Sequence, residues 1–202
     1  VHAVSASAAS SRRNLARAIV DFARGIQAPL EIEGIQHYRQ ARRAGAVILA
    51  GAHLGNWELG CCTHARLHGR LIAPVNPSGN PHFDRFVAAR RAMSGGRTLP
   101  AAGCARALIG ALHGGCDVSM LDDFDLGLAG GIFAEWFGVR TFLSTAIARL
   151  AALTRAPVVP WFCVWEQDRY VLRYEPALDF RGDIVAFTCL LAAWYESKIR
   201  LY

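Results

Sequence analysis

Apolar residues recur along this chain in two rhythms, one helical and one extended. Leu15, Ile19, Phe22 and Ile26 share one face, with Arg12, Arg13, Arg17 and Arg24 elsewhere, which predicts an amphipathic basic helix over 12–25 capped by Ser10-Ser11. Leu30-Glu31-Ile32-Glu33 alternates and predicts an edge strand, followed by a short helix over 34–43. Ala46-Val47-Ile48-Leu49-Ala50 is apolar without alternation, as expected of a strand buried on both faces. Further on, the pattern predicts a helix over 57–67 and a strand over 70–75. The turn cluster Asn76 to Pro81 follows, then a basic helix over 83–93 stopped at Gly95-Gly96. A helix over 103–113, a strand over 117–121 and a glycine-rich loop over 127–131 come next. The remaining elements are a helix over 141–154, a strand over 157–164 with a hairpin partner at 170–174, and a closing helix over 183–202. Strands alternating with helices predict a single α/β domain whose mostly parallel central sheet is flanked by helices. The basic helix region occupies 1–29 and the main body 30–202.

A hydrophobic fraction of 53% against 19% charged residues is that of a globular protein with a real core. No apolar run approaches the roughly 20 residues that span a bilayer. Residues 1–11 carry no signal-peptide pattern, and a start at Val1 fits a segment of a longer protein. Net charge is +6, and Lys198 is the single lysine among 22 basic residues. Guanidinium groups grip phosphates and carboxylates in pairs of bonds, which favours phosphorylated cofactors, an acidic carrier protein or anionic lipid heads. The basic residues form no nucleic-acid module and are not interleaved with aromatics, so no nucleic-acid partner is expected. Six cysteines lack C-x-x-C spacing and sit in apolar contexts, which points to buried reduced thiols without a metal site or disulfide framework.

Candidate chemistry gathers where the buried strand ends. Gly51-Ala52-His53-Leu54-Gly55-Asn56 breaks the strand, and Glu58 follows in the first turn of the next helix. In open α/β sheets ligands bind just beyond the carboxyl ends of strands, where His53 would lie. Five positions on one helix are about 500° of rotation, so His53 and Glu58 can meet only if the His is on the strand end and the Glu on the helix. There a carboxylate would accept from one ring nitrogen, fix the tautomer and leave the other nitrogen as general base. Helix N-terminal amides over 55–57 would face a developing oxyanion. Without a Ser or Cys nucleophile the pair would activate a substrate hydroxyl, or water in a thioesterase-like hydrolase. A non-catalytic module binding a lipid surface or carrier protein is the third reading.

The run Gly51-x-His53-x-Gly55-Asn56-Trp57-Glu58 resembles the bacterial lipid A biosynthesis acyltransferases, the lauroyl and myristoyl transferase family within the H-x4-D/E glycerolipid acyltransferases. The likeness continues through Asn80-Pro81-His82-Phe83-Asp84-Arg85 to Arg91, Leu121-Asp122-Asp123, Phe133 to Gly138 and Ala156 to Pro160. The resemblance implies a glycerolipid-acyltransferase-like fold and makes 30–202 an acyltransferase domain. It implies transfer of a fatty acyl group from acyl carrier protein or coenzyme A to a hydroxyl of a lipid A precursor or related glycolipid. The thioester is then a co-substrate, with no further cofactor and no metal. Carried over, His53 is the base, Glu58 its orienting partner, Arg91 a cation near the thioester oxygen or a phosphate, and Asp122 an acceptor-positioning residue. Gly55 and Asn56 belong to the substrate-binding turn. A peripheral place on the cytoplasmic face of the bacterial inner membrane, or in the cytoplasm, is implied as well. The chain departs from the family in two places: Val75-Asn76 stands where a basic residue is usual, and Asp123 where Gln is usual.

Overall fold

The computed structural model describes residues 16–24, 30–123 and 130–202. Parts of the expected N-terminal helix (12–15 and 25) and most of the glycine-rich loop (127–129) lie outside the described residues. In chain order the elements begin with helix α1 (16–24), β1 (Leu30–Glu33), α2 (Ile35–Arg42) and β2 (Ile48–Gly51). They continue with α3 (Trp57–His68), β3 (Leu71–Val75), α4 (Pro81–Met93), β4 (Gly96–Pro100), α5 (Ala105–His113) and β5 (Asp117–Leu121). The last are β6 (Gly131–Trp136), β7 (Val139–Ser144), α6 (Ala146–Thr154), β8 (Val158–Glu166), β9 (Arg169–Tyr174) and α7 (Ile184–Leu201).

Seven strands form one sheet in the order β1-β9-β8-β2-β5-β3-β4, and β6 and β7 form a separate hairpin. Within the large sheet only the β8–β9 pairing is antiparallel. β2 lies at its centre, between β8 and β5, with helices covering both faces. Val47 and Leu49 pack with Tyr38, Leu59, Ala65 and Trp161 on the side of α2 and α3. Ala46, Ile48 and Ala50 pack with Leu108, Leu112, Ile147, Phe187 and Leu191 on the side of α5, α6 and α7. That two-sided burial is why the segment is apolar at every position rather than at every second one.

Two elements escape the sequence pattern. β4 is an edge strand that starts at the glycine taken as a helix stop and ends in Pro100, a residue tolerated where no further strand needs its N–H. The hairpin β6–β7 takes up residues 141–144, which the pattern assigns to the following helix; α6 starts only at Ala146. Its turn is Phe137-Gly138, both at positive φ (53° and 75°), the geometry of a two-residue hairpin turn usually signalled by Asn-Gly or Asp-Gly. A phenylalanine in that place hides the signal.

α1 docks on the body through Ala18 and Phe22, with Phe22 packed against Cys62 and Val87. The sequence pattern puts Ile19 on the same inward face, but Ile19 is 51% exposed. Ala18, one position earlier, is buried in its place, while Phe22 lies inward as expected.

Candidate active site

The site forms at the carboxyl ends of β2 and β5. Their parallel register pairs Gly51 with Leu121, so the residues two steps beyond each, His53 and Asp123, emerge side by side. Asp123 grips the histidine twice: its Oδ2 accepts the His53 backbone N–H at 2.8 Å, and its Oδ1 lies 2.8 Å from Nδ1. The Asp123 carboxylate is 10% exposed and the imidazole 45%. A carboxylate at Nδ1 holds the proton there, so the neutral ring carries its lone pair on Nε2. The Trp57 ring meets the imidazole edge-on at 4.9 Å.

The carboxylate at His53 Nδ1 is therefore that of Asp123, and the expected partner Glu58 is engaged by Arg91. Glu58 gives both oxygens to Arg91 on α4: Nε donates at 2.8 Å, and the second guanidinium nitrogen donates to the other oxygen. Glu58 sits in the first turn of α3, turned toward α4, whereas Asp123 continues the strand beside β2. Burial would lower the pKa of Arg91, but the hydrogen bonds and charge of Glu58 outweigh it and raise the value.

Gly55 and Asn56 build the turn and do not line the cavity that holds His53. Gly55 has φ +67°, and a Cβ there would fall 2.1 Å from the Cys163 carbonyl oxygen, so only glycine lets the turn pass over β8. The Asn56 N–H donates to that oxygen at 2.7 Å, which commits one of the amides expected to face an oxyanion. Its buried side chain caps α3 by accepting from the Leu59 N–H at 3.0 Å.

A cavity of about 450 Å³ begins at His53, Trp57, Glu58 and Arg91 and runs between α3 and the sheet past Cys61, Ala65, Ala73, Gly96 and Leu121. Small side chains from α3, β3 and β4 leave this space open, and most of its wall is apolar. A second groove of about 350 Å³ shares Glu58, Asn76, Phe83 and Arg91 with the first and continues along Val87, Leu99 and Pro100. The Glu58–Arg91 pair thus stands where the two spaces meet. Three cysteines, Cys61, Cys62 and Cys104, line the first cavity; burial raises each thiol pKa, that of Cys61 to about 12. They remain protonated and poorly nucleophilic at neutral pH.

Asp122 also lines the cavity, but its carboxyl turns toward Ser144 and the start of α6. Burial pushes its pKa up to about 7, helped by the charge of Asp123 and opposed by hydrogen bonds from Ser144 and the Ile147 N–H. Sequence reasoning passed over Asp123 as His53's partner and Arg97 as a basic residue on the cavity wall. The signal for Asp123 was present: an unusual acid two residues past the end of a strand that neighbours the histidine's own.

Known proteins resemble this chain at the level of sequence. Residues 3–201 match the family described as bacterial lipid A biosynthesis acyltransferase. A phosphatidylinositol mannoside acyltransferase of Mycolicibacterium smegmatis is 29% identical over 86% of this chain and 59% of its own length. The protein of the same name from Mycobacterium tuberculosis (strain CDC 1551 / Oshkosh) is 30% identical over 83% of this chain and 55% of its own length. A lipid A biosynthesis acyltransferase of Haemophilus influenzae is 24% identical over 78% and 51%. The chain spans between half and three fifths of the length of these relatives.

Proposed function

The chain belongs to the bacterial lipid A biosynthesis acyltransferase family, and from that premise we propose that it moves a fatty acyl group from a thioester to a glycolipid hydroxyl, with His53 as the base. The observation that carries the proposal is the His53–Asp123 clamp at the mouth of an apolar cavity. Nε2 of His53 takes the proton of the acceptor hydroxyl as its oxygen attacks the thioester carbonyl. The tetrahedral oxyanion collapses, the carbon–sulfur bond breaks, and the imidazolium returns its proton to the departing sulfur. An ester and a free thiol result, with no covalent enzyme intermediate. Asp123 keeps the ring in the right tautomer and stabilises the imidazolium. The cavity takes the acyl chain, each buried methylene contributing about 0.8 kcal/mol.

Glu58 holds Arg91 across the entrance, and Arg91 directs its remaining N–H groups to the thioester oxygen or to a phosphate of the donor. Asp122 braces the end of β5 from which Asp123 projects. The donor is acyl carrier protein or coenzyme A charged with a fatty acid. The acceptor is a glycolipid of the phosphatidylinositol mannoside or lipid A precursor class; the names and higher identities of the mycobacterial relatives support the former. Residues 30–202 act as the acyltransferase domain and 1–29 as a basic attachment region, placing the protein peripherally on the cytoplasmic face of the inner membrane. No helix among the described residues is long and apolar enough to cross a membrane.

The test is acyl transfer from labelled palmitoyl-coenzyme A or palmitoyl-acyl carrier protein to each glycolipid class, followed by mass spectrometry of the lipid. A product heavier by one acyl chain, lost in His53→Ala, is expected. Free acid released at full rate without any acceptor would make the protein a hydrolase instead.

A further inference from the structure

A small space of about 10 Å³ adjoins the large cavity and is bordered by Asp122, Trp136, Ser144, Thr188 and Tyr195. Asp122 lines both, so it stands between them. Tyr195, on α7, is 3% exposed. Its hydroxyl is closed off from solvent and has no hydrogen-bond partner among the described residues. A buried hydroxyl left without a partner is rare and unfavourable, and it calls for an explanation.

The surroundings supply one. Thr188 donates to the Ile184 carbonyl at 2.7 Å, and the Ser144 hydroxyl accepts from the Ala146 N–H at 3.1 Å, so each keeps unused capacity. With Tyr195 and the Asp122 carboxyl they make four polar groups around one space. About 10 Å³ is the least volume that admits a water, and a buried water needs two to four polar partners. Burial, and then the charges of Asp122 and Asp123, raise the Tyr195 pKa, so the phenol keeps its proton and can donate it. The other groups facing Asp122 are Asp123 beside it, Trp136 on β6 and the Ile147 N–H on α6. The Trp136 indole N–H is already given to the Ala192 carbonyl at 3.1 Å.

Asp122 shares its backbone with His53's partner. Its N–H donates to the Gly51 carbonyl at 3.3 Å, which carries the pairing of β5 with β2 one step past Leu121. The next residue is Asp123, which grips His53 twice. We propose that Tyr195 is a positioning residue for the reaction: through one buried water it holds the Asp122 carboxyl, and so fixes the strand end from which Asp123 clamps His53. Tyr195 does not line the large cavity, so it acts on turnover and not on substrate affinity. The kinetic consequence rests on the acyl-transfer reading; the link from Tyr195 to Asp122 does not.

The experiment is Tyr195→Phe, which removes the hydroxyl and keeps the ring. In the 202-residue chain labelled with carbon-13 at its aspartate carboxyls, NMR follows the titration of Asp122, assigned by its absence in Asp122→Asn. Loss of a donor to the carboxylate should move that titration up by about one pH unit. With palmitoyl-coenzyme A and a glycolipid acceptor, kcat should fall about fivefold with KM unchanged, since small displacements of reacting groups are costly. In the Asp122→Asn background the same change should alter kcat by about twofold or less. Thr188→Val withdraws another partner of the water; it should shift the titration the same way and serves where Tyr195→Phe does not fold. Tyr38→Phe removes a buried hydroxyl at the amino end of β5; it should lower the melting temperature and leave kcat and the Asp122 titration unchanged. The proposal is overturned if Tyr195→Phe leaves the titration in place or raises KM with kcat intact, or if Tyr38→Phe lowers kcat as much. If no thioester supports transfer, the reaction fails while the titration still decides the link.

Discussion

Among the described residues two histidine–aspartate pairs stand at opposite ends of the sheet. His53 and Asp123 meet at 2.8 Å beyond the carboxyl ends of β2 and β5, with the imidazole half in solvent. His64 and Asp117 meet at 3.3 Å where β5 begins, both almost fully buried. There both members of the pair are answered from within: Tyr38 and the Val47 N–H each donate to Asp117 at 2.8 Å, and the Tyr174 hydroxyl lies 2.9 Å from His64 Nδ1. Burial would raise the Asp117 pKa, but hydrogen bonds from His64, Val47 and Tyr38 hold it below the ordinary value. The pairs are chemically alike, and surroundings decide their use. One faces a cavity that can take a substrate; the other ties α2 and α3 to the sheet.

The sharpest way to break this contrast is to remove both histidines in turn. His53→Ala should lower acyl transfer by about 10²–10⁴, the usual worth of a general base, with the melting temperature little changed. His64→Ala should instead cost about 2–5 kcal/mol of stability by leaving a cavity in the core, while Asp117 keeps Tyr38, Val47 and Arg42 as partners and the folded fraction keeps its turnover. Denaturant titrations and single-turnover rates on the same samples would expose any exchange of roles.

Next in size is the question of which acid serves His53. Asp123→Asn should reduce the rate by about 10² or more, since the amide can present its N–H to the ring and favour the wrong tautomer. Glu58→Gln should cost about tenfold, as one charge-assisted hydrogen bond of about 1.5 kcal/mol to Arg91 weakens. A larger fall in kcat for Glu58→Gln than for Asp123→Asn would return the orienting role to Glu58.

The smallest effects are linked to pH and have opposite signs at the two ends. The Asp122 carboxyl, ordinarily at 3.8, is raised to about 7 by burial and by Asp123. The fold therefore favours its protonated form, and stability present below pH 4 is lost as pH rises toward 7 and beyond. His68, beside Tyr38 and His64, is lowered from 6.5 to about 4 by burial and by repulsion from His64. The fold favours its neutral form, and stability present above pH 6.5 is lost as pH falls toward 4. Urea midpoints at pH 5 and pH 8 should show the first trend removed by Asp122→Asn and the second by His68→Asn.

Much of this was legible in the sequence, and the gaps have physical causes. The double-sided run at 46–50 announced a central strand because burial on both faces leaves no room for polar residues. His53 was legible because a histidine at a strand end beside glycines is chemically conspicuous. Its partner was not, because Asp123 is adjacent only through the pairing of β2 with β5, which skips 70 residues of chain. A spacing rule sees what lies along the chain, so it chose the acid five positions on. Gly55 and Asn56 were found as a motif, but the approach of Cys163, which accounts for the shape of their turn, comes from a strand more than 100 positions away. The hairpin β6–β7 stayed hidden behind a phenylalanine at positive φ.

The register that sets His53 beside Asp123 has a consequence for how the protein fails. The two residues are fixed by the hydrogen bonds of the innermost strands, where Ile48, Leu49 and Val118 are essentially inaccessible. Such amides exchange with solvent only through the largest openings of a domain. The base and its partner therefore stand two residues from the part of the sheet that opens last. Turnover should decline along the same denaturant curve as the slowest-exchanging amides of β2 and β5, so an inactive molecule will ordinarily be an unfolded one.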